Sequence, residues 1–229
     1  MTVLMGFKTE DGVVFTADMK RNDVTAHGEN IGTFNKAEKI YQIHPHMIIA
    51  IAGLASVGEA TTAILKSAIG VNEDMSVSES LNYVQETFQY TYDLFKRVNP
   101  HVSYLPLVAF IGGYDLENLE PYMYTISSED NFNLTKQMSK FICIGPNNDF
   151  LNNQALLKLP NCNTVTDIVN TFSEIIRDVD AEDVSKETFS KVSFYLRDEG
   201  YKVSNLYLNE NGRLVEEFIC SFKLHFANN

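Results

Sequence analysis

Two pairs of helix-type segments divide the strand-type segments of this chain into three groups, and no other feature constrains the fold as strongly. The first group runs from Met1 to Gly53 and opens with two strands, Met1 through Lys8 and Val13 through Asp18. Glu10-Asp11-Gly12 separates them, a strong local hairpin signal. After Gly53, apolar residues at Leu54, Val57, Ile64, Leu65 and Ala68 have helical spacing, with Gly70 as the stop. Ser76 with Glu79 three residues on forms a capping box for a second helix, whose stripe is Val77, Leu81, Val84, Phe88, Tyr92 and Phe95. A buried strand is expected over Leu105–Asp115, then short strands over Tyr122–Ser127, Phe132–Thr135 and Lys140–Ile144. The second helix pair starts at Gly145-Pro146-Asn147-Asn148, running to about Lys158, and at Thr164. Strands at Val192–Leu196, Val203–Leu208 and Val215–Phe222 complete the pattern. This order predicts two packed antiparallel sheets with helices outside them, a four-layer α/β/β/α sandwich, in a single domain over 1–229.

The chemistry of the first strand turns on Thr2. If Met1 is removed, Thr2 presents a hydroxyl and a free amine together at a strand end. An α-amine titrates near ~7.7–8.0, so such a residue carries its own base. Residues 19 to 35 lack periodicity and carry Gly28, Asn30 and Gly32, which predicts a long loop between strands. His44-Pro45-His46 reads as a solvated turn between two strands.

The blocks Thr2, Thr16-Ala17-Asp18, Lys39-Ile40-Tyr41-Gln42-Ile43 and Ile48-Ile49-Ala50-Ile51-Ala52-Gly53 together resemble the proteasome β-type subunits and the bacterial proteasome-like peptidases, an N-terminal-nucleophile hydrolase family. The resemblance implies the fold of that family and a threonine peptidase that cleaves peptide bonds through an acyl-enzyme. It implies Thr2 as nucleophile, Asp18 as buried carboxylate, Lys39 as the ammonium beside the hydroxyl, and the Gly53 N–H as oxyanion donor. Lys36 competes for the lysine role, but Lys39 directly precedes the Ile-Tyr-Gln-Ile strand. Asn22 would sit where main chain pairs with an extended peptide, and Ile51 and Ala55 would line a shallow apolar specificity pocket. The implied partners are a peptide or unfolded-protein substrate, further copies in a homo-oligomeric ring, and an unfolding ATPase; no cofactor is implied.

Two downstream turns depart from the family pattern. Gly145-Pro146-Asn147 stands where the family has a serine, and Asp183-Val184-Ser185-Lys186-Glu187-Thr188 stands where it has Asp-x-x-Ser-Gly-Gly. Asn147, Asp183, Ser185 and Thr188 remain open as replacements, and these departures motivate the alternative of a catalytically silent ring subunit.

Composition narrows the class further. A net charge of -12 with no basic stripe argues against nucleic acid. No apolar run reaches the ~18–20 residues of a membrane span. No charged-then-apolar leader precedes the first strand, and the three cysteines, Cys143, Cys162 and Cys220, are unpaired in spacing. A cytoplasmic protein with buried thiols and no structural metal is therefore expected.

Overall fold

The Thr9 N–H donates to the Gly12 carbonyl at 2.9 Å, closing the turn between β1 (Leu4–Lys8) and β2 (Gly12–Asp18). These strands pair antiparallel with Leu4 opposite Ala17. The computed structural model describes residues 2–24, 30–34, 36–70, 72, 74–102 and 105–222. Along the chain follow β3 (Arg21–Val24), β4 (Asn30–Phe34), β5 (Ile40–His44), β6 (Met47–Gly53), α1 (Ala55–Ala68) and α2 (Val77–Val98). Next come β7 (Leu107–Asp115), β8 (Glu120–Ser127), β9 (Thr135–Lys136), β10 (Phe141–Ile144), α3 (Asn148–Lys158) and α4 (Val165–Asp178). The last elements are β11 (Thr188–Leu196), β12 (Gly200–Leu208) and β13 (Leu214–Phe222).

Six strands form one antiparallel sheet in the order β10-β1-β2-β11-β12-β13, and five form another in the order β5-β6-β7-β8-β9. Side chains alternate across each strand with period two, which sorts them into layers. Val3, Met5 and Val14 face Leu151, Phe172 and Ile175 on the helices α3 and α4. Leu4, Val13 and Phe15 point the other way, against Ile48, Ala50 and Phe110 of the second sheet. That sheet's opposite face carries Ile49, Ile51 and Ile111 against Leu65, Val84 and Phe88 of α1 and α2. The result is the expected α/β/β/α sandwich. Both sheets are covered on both faces, so β2 is buried along its whole length.

Three expectations need correction. Residues 19 to 35 are not simply a loop: β3 and β4 pair as a two-stranded ribbon with Asn22 opposite Thr33. The Thr33 hydroxyl donates to Asn22 Oδ1 at 3.0 Å, and the Arg21 guanidinium lies 5.7 Å from the Phe34 ring centre. Polar side chains close this ribbon, so it leaves no apolar alternation to read. Phe132 does not begin a strand. Asn131 and Phe132 take left-handed φ values of 48° and 58°, and the Phe132 ring is buried against Phe88 and Tyr92. Its hydrophobicity serves a turn folded back on α2.

The third correction concerns His44 and His46, which are buried at 3% and 5% exposure. His44 Nε2 lies 3.1 Å from the Asn72 carbonyl, which can only accept, so the proton sits on Nε2. His44 Nδ1 then accepts from His46 Nδ1–H at 2.9 Å, leaving His46 Nε2 as an acceptor 3.5 Å from the Ser80 hydroxyl. Each polar atom of the turn is met by the fold, which is what allows the pair to be buried.

Candidate active site

Asp18 ends β2 with no solvent exposure, and a carboxylate in that position needs compensation. It has four donors. Oδ1 accepts from the Val3 N–H at 2.9 Å and the Lys39 ammonium at 2.8 Å. Oδ2 accepts from the Lys20 N–H at 3.1 Å and the Ser185 N–H at 3.2 Å. The Asp18 N–H in turn donates to the Val3 carbonyl at 3.2 Å, so the start of β1 is clamped on both sides of the Val3 residue. Thr2 is therefore held at the strand end, half-buried, while Met1 lies outside the described residues.

Lys39 immediately precedes β5, and its carbonyl accepts from the Ile51 N–H at 2.8 Å, which fixes its main chain to β6. Burial pulls the ammonium below its ordinary range; the charge of Asp18 and its hydrogen bond oppose that shift. Lys36 is exposed, with its ammonium 5.4 Å from the Tyr207 ring centre, so the lysine paired with Asp18 is Lys39.

A cavity of about 240 Å³ opens beside this pair. Of the seven residues to which the resemblance gives a role, Thr2, Lys39, Gly53, Ile51, Ala55 and Asn22 line it, and the buried Asp18 does not. Gly53 forms the exposed end of β6 with φ of +99°, and a Cβ there would fall 1.9 Å from the Pro106 carbonyl oxygen. Glycine is required at that position by both conformation and space.

Tyr41, Arg21 and Glu59, to which the sequence assigns no role, are among the other side chains that line the same cavity. Arg21 and Glu59 form an ion pair. The Tyr41 hydroxyl donates to the Glu38 carbonyl at 2.7 Å, and burial with the nearby Glu59 and Glu38 charges raises its pKa, Arg21 opposing. The cavity at Ile51 and Ala55, expected to be apolar, thus has a charged and phenolic wall as well. Spacing carried the signal: Glu59 is one helical turn beyond Ala55, and Tyr41 is two residues beyond Lys39 on a strand.

A model of the family described as proteasome subunit matches residues 2–194. The chain belongs to the proteasome subunit family. No curated protein matches it.

The four positions left open by the departures from the family pattern separate cleanly in space. Asp183 lines the cavity and accepts from Asn22 Nδ2 at 2.7 Å. Ser185 gives its N–H to Asp18, while its hydroxyl accepts from the Glu187 N–H at 3.0 Å. Thr188 is buried with its hydroxyl 2.7 Å from that of Ser173 on α4, on the helix side of the sheet. Asn147 caps α3, its Oδ1 accepting from the Phe150 N–H at 3.3 Å. Asp183 lines the cavity and Ser185 bonds Asp18 without lining it; Thr188 and Asn147 have structural partners elsewhere. Among the described residues no cluster of three or more His, Cys, Asp or Glu could hold a metal ion, and no helix is long and apolar enough to cross a membrane.

Proposed function

We propose that this proteasome family member is an N-terminal threonine peptidase, and the observation that carries the reading is the four-donor burial of Asp18 between Thr2's strand and Lys39. Removal of Met1 frees the Thr2 amine. The amine takes the proton of the Thr2 hydroxyl as Oγ1 attacks the scissile carbonyl carbon, and it returns that proton to the leaving amine as the acyl ester forms. Water then hydrolyses the ester by the same route in reverse roles. Lys39, kept charged by Asp18, lowers the cost of the developing alkoxide, and the Gly53 N–H donates to the carbonyl oxygen as it becomes an oxyanion. Asp183 and Ser185 position this group through Asn22 and Asp18. Members of the family form oligomeric rings, and this chain is proposed to assemble so with copies of itself. The chain is further proposed to act as one domain, on peptides or unfolded protein delivered by an unfolding ATPase.

A second reading is a ring subunit without activity. It is favoured by Asn147, whose side chain is committed to the α3 cap on the turn where the family carries a serine. Intact mass after treatment with a peptide epoxyketone, which traps a threonine through amine and hydroxyl together, separates the two. Loss of Met1 with gain of one inhibitor supports the peptidase, and Thr2→Ala then abolishes both adduct and peptide cleavage. A retained Met1, or a trimmed chain with no adduct, favours the silent subunit.

A further inference from the structure

Three consecutive residues leading into β5 are each tied to the sheet that holds β2 and β11. The Ala37 N–H donates to the Met19 carbonyl at 2.9 Å, just past the end of β2. The Glu38 carboxylate meets the Lys191 ammonium of β11 at 3.2 Å, and the Lys39 ammonium meets Asp18 at 2.8 Å. The first and last of these ties belong to the chain around Asp18. Lys191 stands apart from it and is not part of the Thr2 cavity lining.

Strand register explains how Lys191 reaches that segment. It pairs with Phe15 on β2, whose ring packs towards the second sheet, while its neighbour Val192 packs with Phe172 on the helix side. Side chains alternate along a strand, so Lys191 points towards the second sheet, where a lysine interrupts an apolar layer. It is 7% exposed, and an ammonium withdrawn from water needs acceptors. Glu38, half in water, reaches in to supply one. From the second sheet, the Tyr41 hydroxyl donates to the Glu38 carbonyl at 2.7 Å, and the Ile51 N–H donates to the Lys39 carbonyl at 2.8 Å. Glu38 is therefore held from both sheets, one residue before Lys39.

We propose that Lys191 is a positioning residue for the Thr2 chemistry: through Glu38 it fixes the segment that carries the Lys39 ammonium to the nucleophile. This role rests on the peptidase activity proposed above. A Glu38 released from β11 lets the entry to β5 shift, and the Lys39 ammonium shifts with it. Misplacing a reacting group by about 1 Å can cost ~10²-fold in rate. Asp18 and the Ile51 N–H still hold Lys39, so the loss here stops short of that.

The pH dependence of kcat/KM on a fluorogenic peptide tests the assignment, with Lys191→Met and Glu38→Ala measured beside the unsubstituted protein. An ammonium near the Thr2 amine disfavours its protonated form, so a displaced Lys39 moves the ascending limb to higher pH. Each variant lowers kcat/KM about tenfold at neutral pH and moves the limb upward. The shared direction separates positioning from a plain field effect, because Lys191 and Glu38 carry opposite charges and their fields would move the limb in opposite directions. Of the charged groups lining the Thr2 cavity, Lys20, Arg21, Glu38, Lys39, Glu59 and Asp183, Lys191→Met removes none, and Tyr41, its pKa raised by burial, stays neutral. Lys191→Arg, which keeps charge and reach, restores rate and limb, and the double variant loses no more than either single one. Glu38→Ala, at a half-exposed position, carries the test alone if Lys191→Met does not fold. A lowered Tm with an unmoved limb, or a Glu38→Ala limb that moves down, overturns the proposal. Epoxyketone labelling keeps the two levels apart: no adduct on the unsubstituted protein overturns the peptidase and this role together, whereas an adduct with unaltered variant kinetics overturns the role of Lys191 alone.

Discussion

The Lys39 ammonium lies 2.8 Å from Asp18 Oδ1, and both groups are withdrawn from solvent. Breaking such a pair from one side leaves a buried charge, at a cost of about 3–5 kcal/mol. Lys39→Met leaves the carboxylate with three main-chain N–H donors, so its destabilisation falls near the lower end of that range. The double variant Lys39→Met with Asp18→Asn regains part of the loss, because no charge is then stranded. Urea denaturation measures both. Peptide cleavage is absent in single and double variants alike, so restored stability without activity separates the pair's chemical role from its structural one.

Gly53→Ala meets two penalties at once. The φ of +99° lies where L-residues are strained, and the new Cβ collides with the Pro106 carbonyl oxygen, which belongs to the segment leading into β7. Strain of this kind costs about 1–3 kcal/mol before any shift of the strand. If the Gly53 N–H is the oxyanion donor, kcat drops by about 10²–10³. A normal kcat with lowered Tm would place the oxyanion elsewhere.

The elements legible in the sequence are those whose cause is local. The β1–β2 hairpin follows from a short turn between apolar runs, and α2 starts where the Ser76–Glu79 capping box forms, with both of its bonds present. Thr2, Asp18, Lys39 and Gly53 are singled out through the family blocks they belong to, which the resemblance supplies and local structure alone does not. What could not be read depends on partners distant in sequence. Ser185 and Thr188 are three residues apart, yet one gives its N–H to Asp18 and the other bonds Ser173 on α4, because the chain enters β11 between them. The burial of His44 and His46 rests on Asn72 and Ser80, and the polarity of the cavity wall on Arg21 meeting Glu59 across 38 positions.

Stability should fall in mild acid because of His46. Burial, then the neighbouring His44, pull its pKa from 6.5 to about 3, with Asp115 opposing. The sign follows from proton counting: between those values the unfolded chain binds a proton that the folded chain does not, so stability rises with pH there. The contribution is complete above 6.5 and is lost as pH falls towards 3, with a limiting slope of about 1.4 kcal/mol per pH unit. Tyr201, whose ring centre is 6.1 Å from that of His46, and Tyr122, whose hydroxyl donates to the His46 carbonyl, remain uncharged across this window. Denaturant midpoints at several pH values should show the slope, and His46→Gln should flatten it. An unchanged slope in the variant would assign the acid sensitivity to carboxylates instead.

Asn22 and Asp183 come from the ribbon and from the segment before β11, and their side chains meet at 2.7 Å across the mouth of the Thr2 cavity. That bond ties together two parts of the chain that share no strand pairing, so it sets where β3 stands relative to Thr2. Asn22→Ala and Asp183→Ala each lower kcat/KM for a peptide substrate. Because each removes the same tether, the double variant loses little more than either alone. A double-mutant cycle on kcat/KM is expected to give a coupling of about 1 kcal/mol, within the range for residues in direct contact. Thr33, which donates to Asn22 from the other ribbon strand, offers a control: Thr33→Val loosens Asn22 without touching Asp183, and its effect vanishes in the Asn22→Ala background. Additive losses for Asn22 and Asp183 would mean that the two act on substrate separately, each through its own contact, and that the bond between them is incidental.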